Sequence, residues 1–387
     1  MASSNENPET LVTRVGRESA AHVGAVNTPV YRASTILYPD MAALDAHAMP
    51  FTYGRRGNPT VRSLEDAVNA LEGATRTMFF GSGLNAVVMA ILAACSAGDH
   101  VLMVDSAYGP TRIFADKMLR RFGIQASFYD PLIGPGIADL FRPNTKAVFC
   151  ESPGSLTFEV QDIPAIVAAC KPRGIATILD NTWATPIHFQ PLKHSVDLSV
   201  QAVTKYIGGH ADLLMGYIAA NEPFASRVVE MHQQMGLYVS GDDCYLALRG
   251  LRTLPVRLKR HEETALQLAT WLETQPEVSR VLYPALPSDP GHAIWKRDFT
   301  GACGLFGVVL KPAPKPAVNT MLDSLKHFGL GFSWGGYESL CVPSDIHRTA
   351  APFKAEGPVI RIHAGLEDPQ DLIVDLTAGF DRLRAGS

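Results

Sequence analysis

The chain lacks paired cysteine motifs and long apolar runs, and each absence excludes a class of protein. Its six cysteines, at positions 95, 150, 170, 244, 303 and 341, include no Cys-x-x-Cys spacing. This scatter favours reduced, mostly buried thiols over a disulfide framework or a zinc site. No stretch approaches the roughly 18 apolar residues of a transmembrane helix. We therefore expect neither a disulfide-built domain nor a membrane protein.

The chain also carries little net charge. The formal charge of −4 over 387 residues gives no basic surface for nucleic acid and no strong steering field. The first residues, MASSNEN, show no basic stretch that leads into an apolar one, so we expect no secretory signal. These absences predict a cytoplasmic protein that binds neither nucleic acid nor membrane.

Helix-like and strand-like segments alternate after residue 60, following a polar stretch that resembles an arm. This alternation predicts a doubly wound, mostly parallel sheet of an α/β protein. The predicted helices are 59–71, 84–94, 111–122 and 164–170, and the predicted strands are 75–80, 100–104, 126–129, 147–150, 177–179 and 198–200. A helix at 257–275 then leads into a second domain with strands at 278–283, 304–310 and 359–363.

Lys205 directly follows a strand pattern in residues 199–210 (SVQAVTKYIGGH), with Thr204 before it and paired glycines after it. Lysines usually lie on solvated surfaces, so one at the end of an apolar strand requires a reason. Either its amine reaches solvent, or the amine is desolvated enough to be partly neutral, as Schiff-base chemistry requires. Lys205 is therefore a candidate catalytic residue.

Asp180 ends another short apolar strand, in residues 175–183 (IATILDNTW). Because ligands bind at the carboxyl ends of strands in α/β sheets, we expect Asp180 and Lys205 to face one crevice. Pyridoxal phosphate needs such a pair, a lysine for the Schiff base and a carboxylate for the ring nitrogen. A cap on the turn after the strand explains Asp180 equally well at this point.

Residues 78–90 (MFFGSGLNAVVMA) supply a candidate phosphate cradle. Glycines open a strongly helical run, so free amides at its start, those of Gly83 and Leu84, can bind an anion. The segment matches neither a Walker loop nor a dinucleotide fingerprint. The Thr204 hydroxyl can contribute to the same phosphate.

On these segments the chain resembles the transsulfuration family, the pyridoxal-phosphate-dependent enzymes of cystathionine and methionine. The resemblance runs from about residue 28 to 382 and includes YGRRGNPT at 53–60 and TKY at 204–206. It implies pyridoxal 5'-phosphate as cofactor and the type I, aspartate-aminotransferase-like fold. It also implies an arm at 1–60 that reaches the neighbouring subunit, a cofactor domain at 61–252 and a smaller C-terminal α/β domain at 253–387.

The resemblance also implies roles for side chains outside the lysine segment. Tyr108, after strand 100–104, matches the tyrosine that stacks on the cofactor ring, although a tyrosine filling a turn is the alternative. Its phenol can exchange protons if a nearby cation lowers its pKa. Tyr53 and Arg55 match a pair that binds the cofactor phosphate of the neighbouring subunit, and Tyr53 also contacts substrate there. A dimer is then the minimum assembly, and a tetramer is the family habit.

Arg361 lies within an alternating apolar strand pattern in residues 358–367 (PVIRIHAGLE), where a buried charge needs a partner. A salt bridge to Glu367 is one explanation. The resemblance implies the other, a bidentate clamp on the substrate α-carboxylate, assisted by Ser333 and Trp334.

Three segments favour the β-eliminating members of the family: DPLIG at 130–134, ESPGS at 151–155 and SWGGYESL at 333–340. Trp334 and Ala202 stand where γ-acting relatives usually carry leucine and serine. The resemblance implies α,β-elimination of an amino-acid substrate, L-cystathionine, to homocysteine, pyruvate and ammonia. Cleavage of other cysteine S-conjugates can accompany it.

Two alternatives to β-elimination stay open. One is a γ-acting relative, and the other is a catalytically silent paralogue that only binds ligands. His188, His194 and His210 show no metal-ligand spacing, so we expect them to be structural and expect no metal. The segment 341–357, just past the predicted carboxylate site, departs most from the closest relatives and bears on the preference for substrate size.

Overall fold

The computed structural model describes residues 6–386, which contain two β-sheets. Residues 1–5, most of the stretch considered above as a secretory signal, lie outside the described residues. A mostly parallel sheet comes first along the chain, and a smaller sheet comes after it. This arrangement agrees with the predicted fold class.

The strands of the first sheet are β1 (Arg76–Phe80), β2 (His100–Val104), β3 (Gln125–Tyr129), β4 (Thr145–Glu151), β5 (Ala176–Asp180), β6 (Leu198–Ala202) and β7 (Gly216–Ala220). Their order is β1-β7-β6-β5-β4-β2-β3. The pairs from β6 to β3 are parallel, whereas β7 is antiparallel to both β1 and β6. The sequence prediction omitted β7, whose residues GYIAA include a glycine and two alanines, types with little preference for strands.

The helices surround and connect the sheets, and the predicted helices recur with shifted ends. Predicted helix 111–122 is two pieces, an α-helix ending at Lys117 and a 3-10 turn over Leu119–Phe122 closed by Gly123 at φ 73°. None of the helices within residues 6–386 is long and apolar enough to cross a membrane. They are α1 (Pro8–Arg14), α2 (Met41–Asp45), α3 (Pro59–Glu72), α4 (Gly83–Ala94), α5 (Gly109–Lys117), α6 (Ile163–Cys170), α7 (Thr185–His188), α8 (Phe224–Gln234), α9 (Gly241–Leu251), α10 (Leu254–Leu272), α11 (His292–Asp298), α12 (Lys315–Asp323) and α13 (Pro369–Ala385).

The second sheet contains β8 (Val278–Leu282), β9 (Leu305–Leu310), β10 (Phe328–Gly329), β11 (Ser339–Pro343) and β12 (Val359–His363). Its order is β10-β11-β12-β9-β8, and its pairs are antiparallel except β10 with β11. β8, β9 and β12 were predicted, whereas the two-residue β10 and the five-residue β11 were not. The predicted helix at 257–275 is α10, which begins three residues earlier because a proline occupies its first turn.

The stretch predicted as an arm, described here from residue 6 to 60, carries α1 and α2 and no strand of either sheet. Its first helix nevertheless packs on the body of the chain. Val12 and Val15 are buried, and Arg252 donates to their carbonyls at 2.6 and 2.7 Å. The domain boundaries at 60 and 252 stay predictions.

The carboxyl ends of β2, β4, β5 and β6 meet at one edge of the first sheet, and the start of α4 lies against them. Glycine makes this approach possible. A Cβ on Gly83 would lie 2.5 Å from the Ala202 Cβ, and one on Gly216 would lie 2.5 Å from the Ser82 carbonyl oxygen. The first amides of α4 are thus held beside the end of β6.

Residues 344–357, the connecting segment, join β11 to β12 and tie the second sheet to the first. The buried Asp105 carboxylate accepts the amides of Thr349, Ala350 and Ala351 and pairs with Arg112 at 2.5 Å. Burial alone would raise the pKa of Asp105, but these hydrogen bonds outweigh it and lower the pKa. Arg348 adds an ion pair to Glu159 at 2.6 Å.

Replacing Asp105 by alanine should destabilise the protein by roughly 3–5 kcal/mol, because buried Arg112 loses its counter-charge and three amides lose their acceptor. Equilibrium urea unfolding measures the loss. Proteolysis of the native protein within the connecting segment should also become faster. Glu356→Ala is the matched control, since its ion pair with Arg280 lies at the surface at 3.9 Å and should matter little. Equal losses in both variants would contradict the anchoring role.

Candidate active site

A cleft of about 1250 Å³, including its open mouth, lies at the carboxyl edge of the first sheet and is covered by β12 and residues 332–334. It is deep and mixed in polarity, as small-molecule sites are. Its lining contains every predicted site residue except two: Gly83, Leu84, Tyr108, Asp180, Thr204, Lys205, Ser333, Trp334 and Arg361. Tyr53 and Arg55 are the exceptions.

Lys205 lies in the turn after β6, largely buried in the cleft. Its Nζ is 2.7 Å from Ser333 Oγ and 5.2 Å from the centre of the Trp334 ring. Burial, and then the charge of Arg361, lower the pKa of Lys205 to about 8, while Asp180 acts in the opposite direction. A useful fraction of the amine is therefore neutral near physiological pH, as a Schiff-base lysine requires.

Asp180 ends β5 and lines the same cleft. Its Oδ1 accepts the Thr182 amide at 3.0 Å and the Thr182 hydroxyl at 2.5 Å. The turn-capping explanation is thus locally correct, and it coexists with a place in the cleft. Burial raises the pKa of Asp180, and the bonds from Thr182 and the charge of Lys205 oppose the rise. A cationic ligand beside Asp180 would favour its ionised form.

Glu151 is a cleft residue that sequence reasoning missed. It stands opposite Asp180 in the β4–β5 register and accepts the Tyr108 amide at 2.8 Å. Burial, and then the charge of Asp180, raise the pKa of Glu151 well above its usual value. Glu151 ends β4 as Asp180 ends β5, so the strand-end argument that found Asp180 would have found it as well.

Tyr108 precedes α5 and is half exposed at the cleft wall. Burial and the charge of Glu151 raise its pKa, and Arg361 only partly opposes them. The condition set above for proton exchange, a cation that lowers the phenol pKa, is therefore not met by this arrangement. Tyr108 keeps its proton at neutral pH and can act as a donor.

The start of α4 presents the amides that were predicted to form a phosphate cradle. Ser82 caps the helix by accepting the Asn85 amide at 3.1 Å. The amides of Gly83 and Leu84 belong to the first turn, which has no carbonyl partners within a helix. The Thr204 hydroxyl, in contrast, donates to the Met215 carbonyl at 3.2 Å and accepts the Met215 amide at 3.0 Å. Its proton is thus already used, which weakens its predicted phosphate contact.

Arg361 enters the cleft from β12 and donates to the Ser333 carbonyl at 3.0 Å. The salt bridge to Glu367 considered above is wrong, because Glu367 instead accepts the Ser339 amide and hydroxyl, each at 2.8 Å. Burial lowers the pKa of Arg361, and it forms no ion pair with any described residue. A buried guanidinium without a counter-charge favours an anionic ligand in this cleft.

Tyr53 and Arg55 lie on the surface, away from the cleft of their own chain. Arg55 donates to the Gln233 carbonyl at 3.0 Å and lies over the half-exposed Tyr53 ring. Their predicted contacts with cofactor and substrate therefore require a second copy of the chain.

His210, one of the three histidines expected to be structural, lies with Nδ1 2.8 Å from the Gly208 carbonyl oxygen. Over residues 6–386, no group of three or more His, Cys, Asp or Glu side chains is arranged to hold a metal ion.

The residues present fit pyridoxal phosphate. Lys205 offers an amine of lowered pKa, Asp180 a carboxylate, and the start of α4 a set of free amides beside them. Arg361 adds an unpaired cation for the carboxylate of an amino acid.

Comparison with known proteins identifies the family of this chain. Residues 9–381 match the family described as Cys/Met metabolism PLP-dependent enzymes. A putative cystathionine β-lyase of Rhizobium johnstonii is 48% identical over 97% of this chain and 96% of its own length. Cystathionine β-lyase MetC of Escherichia coli is 43% identical over 97% of this chain and 98% of its own length. An L-alanine/L-glutamate racemase of Wolbachia pipientis is 41% identical over 97% of both chains.

Among solved structures, cystathionine γ-synthase from Xanthomonas oryzae superposes with a TM-score of 0.92 at 29% identity, over 99% of this chain and 100% of that one. The chain belongs to the Cys/Met metabolism family of pyridoxal-phosphate-dependent enzymes, and pyridoxal phosphate is its cofactor. The fold and family expected from the sequence are confirmed.

Schiff-base formation by the cofactor-free protein should depend on pH through Lys205. The neutral amine reacts, so with a pKa of about 8 the rate should rise about tenfold per pH unit below that value and level off above it. The growth of visible absorption after pyridoxal phosphate is added measures the rate. Lys205→Ala should fold but acquire no such band and no turnover. A wild-type rate that keeps rising to pH 10 would contradict the lowered pKa.

Proposed function

We propose that this protein is a carbon–sulfur lyase that converts L-cystathionine and water into homocysteine, pyruvate and ammonia. The observation that carries the proposal is the meeting of Lys205, Asp180 and the unpaired Arg361 in one cleft beside Trp334. The β-lyase names of the Rhizobium and Escherichia relatives support the choice of reaction.

Each charged residue has a proposed task. Arg361 binds the substrate α-carboxylate and orients the Cα–H bond. Lys205 would hold the cofactor at rest, and its free neutral amine would remove the α-proton of the bound substrate. Asp180 keeps a proton on the cofactor ring nitrogen. When bound, pyridoxal phosphate supplies the electron sink that absorbs the charge left at Cα.

The leaving thiolate needs a proton, and two residues can provide it. Lys205 carries the proton taken from Cα, and Tyr108 retains its own because its pKa is raised. The amide of Tyr108 is fixed by Glu151 at 2.8 Å, which sets the place of the phenol at the cleft wall. The cleft lining includes four apolar side chains, those of Pro110, Leu156, Phe158 and Leu214. They suit the carbon chain of a thioether.

The γ-acting reaction is the main alternative. It requires a second carbanion, at Cβ, and therefore a second proton transfer. The 29% identical γ-synthase structure shows that the same fold serves a protein with that name. Trp334 and Ala202 count against it here, because family members of that type usually carry leucine and serine at these places.

Racemisation of a small amino acid is a second candidate, favoured by the 41% identity to the Wolbachia racemase. Both reactions begin with removal of the α-proton, the task proposed for Lys205. They differ in the next step, since a racemase returns the proton to Cα and breaks no carbon–sulfur bond.

We further propose that the protein works in the cytoplasm as a homo-oligomer, at least a dimer and, by family resemblance, a tetramer. Six buried, unpaired cysteines support a reducing compartment. The position of Tyr53 and Arg55 outside their own cleft supports an assembly in which they complete the cleft of a neighbour.

The products formed from L-cystathionine by the cofactor-loaded protein test the proposal. Pyruvate with homocysteine is expected, because Trp334 and the neighbouring residues favour cleavage at Cβ. Chromatography of the keto acids and thiols makes the distinction. Parallel incubation with L-alanine and chiral analysis measures racemisation.

Oxobutyrate with cysteine would overturn β-cleavage and assign the γ-acting reaction. D-alanine formation without keto acid from cystathionine would assign the racemase. A protein that acquires no visible absorption with pyridoxal phosphate would revive the silent paralogue.

Asp180→Ala should lose cofactor and activity together, with turnover reduced by roughly 10²–10³-fold, because one preorganised charge is removed from the reacting centre. Spectrophotometric cofactor titration and pyruvate release measure the two effects. Asp130→Ala is the matched control, since Asp130 follows β3 and accepts the amide two residues on, at 2.9 Å, but lies outside the cleft lining. Normal occupancy and rate in Asp180→Ala would refute the role.

A further inference from the structure

Two side chains on one face of β12 contact a short loop, residues 333–336. Arg361 and His363 are two residues apart on the strand, so they lie on the same face of the sheet. Arg361 donates to the Ser333 carbonyl at 3.0 Å, and His363 Nε2 lies 3.1 Å from the Gly335 amide nitrogen. The contacted loop residues, Ser333 and Gly335, are thus two positions apart, as Arg361 and His363 are on the strand.

The loop adopts a backbone that it would not hold unaided. Ser333 has φ 83° and Gly335 has φ 85°. Positive φ is costly for a residue with a Cβ, so the surroundings must enforce it at Ser333. Those surroundings are Lys205 at the Ser333 hydroxyl, Arg361 at its carbonyl and His363 at the peptide two residues on.

Gly335 presses directly on the backbone of the catalytic lysine. A Cβ at this position would lie 2.8 Å from the Tyr206 amide nitrogen and 2.9 Å from the Lys205 carbonyl carbon. The peptide at 335 therefore cannot shift toward Lys205, and any movement must lift the loop away. Lifting the loop would carry Ser333 and Trp334 from the Lys205 amine and admit water.

His363 itself is fully buried and lies outside the cleft lining. Burial, and then the nearby His261, lower the pKa of His363 well below its usual value, so the ring is neutral. A neutral ring carries one proton, so Nε2 either accepts the Gly335 amide at 3.1 Å or, in the other tautomer, donates to the Gly336 carbonyl at 3.2 Å. Both contacts are with the loop. Among the described residues its Nδ1 has no hydrogen-bond partner, so the imidazole is held by the loop on one side and by packing on the other.

We propose that His363 is a positioning residue: by binding the loop backbone at residues 335–336 it holds loop 333–336 against Lys205 and keeps the catalytic amine desolvated. This inference rests on the role proposed above for Lys205. The proposed role of His363 differs from that of an ordinary core residue, because His363 acts on the Lys205 amine through its contact with the loop. A core residue would change the stability of the protein without changing the reactivity of Lys205.

The matched pair His363→Gln and His363→Asn tests the contact. A glutamine side-chain amide reaches about as far as Nε2 and can accept the Gly335 amide or donate to the Gly336 carbonyl, whereas the shorter asparagine reaches neither. The readout is the pH midpoint of Schiff-base formation between the cofactor-free variant and pyridoxal phosphate. Asparagine should raise the midpoint by about one pH unit, because solvation of the amine restores part of its usual pKa. Glutamine should leave it close to wild type.

His261→Gln is the control for damage to the core. His261 is also buried, its ring centre lies 5.2 Å from that of His363, and its Nδ1 contacts the Ala364 carbonyl rather than the loop. It should lower thermal stability and leave the midpoint unchanged. Gly335→Ala keeps His363 but should lift the loop, because the added Cβ meets the backbone of Lys205. It should raise the midpoint as His363→Asn does. It replaces His363→Asn in the test if that variant fails to fold.

An unchanged midpoint in His363→Asn or Gly335→Ala would overturn the inference, as would an equal shift in His261→Gln. Turnover adds a second measure. The value of kcat should fall about tenfold in His363→Asn and stay close to wild type in His363→Gln. The midpoint does not depend on which bond is cleaved. Wrong products with the expected midpoints would overturn the proposed reaction and leave this inference standing.

Discussion

The chemistry of the cleft depends on keeping one amine out of water. A lysine side chain is normally cationic at neutral pH, and burial of Lys205 beside Arg361 removes much of the stabilisation that the charged form has in solvent. Asp180 prevents the shift from going further, since its charge favours the protonated amine. The Ser333 hydroxyl, 2.7 Å from Nζ, then fixes where the amine rests. Reactivity here is a balance of desolvation against one carboxylate.

That balance is possible only because two sheets meet over the cleft. Lys205 and Asp180 come from the first sheet, whereas Ser333 and Arg361 come from the loop and strand of the second. The contact of Asp105 with the connecting segment and the pair of Arg348 with Glu159 lie close to the same boundary. These contacts help to hold together the two sheets whose residues line the cleft.

A second constraint is the pair of carboxyl groups at the ends of β4 and β5. Glu151 and Asp180 occupy opposed register positions, and burial raises the pKa of both. Two buried carboxyls so placed cannot easily carry two negative charges unless a cation joins them. A protonated cofactor ring is such a cation. The Glu151 carboxyl also accepts the Tyr108 amide, so the tyrosine predicted to stack on the cofactor ring is tied to the pair.

The sequence by itself determined the parallel strands, and it placed Lys205 and Asp180 at their carboxyl ends, because apolar runs and strand ends are local patterns. It missed β7, whose glycine and alanines have little preference for strands, and β11, which ends in a proline. It could not reveal that Ser333 meets Lys205 across 128 positions, that Glu151 opposes Asp180, or that His363 holds Gly335. Those pairings depend on register and on how two sheets dock, and neither is written in any single stretch of chain. Only the tertiary structure decided them, because burial and hydrogen bonding between distant segments arise when the segments pack.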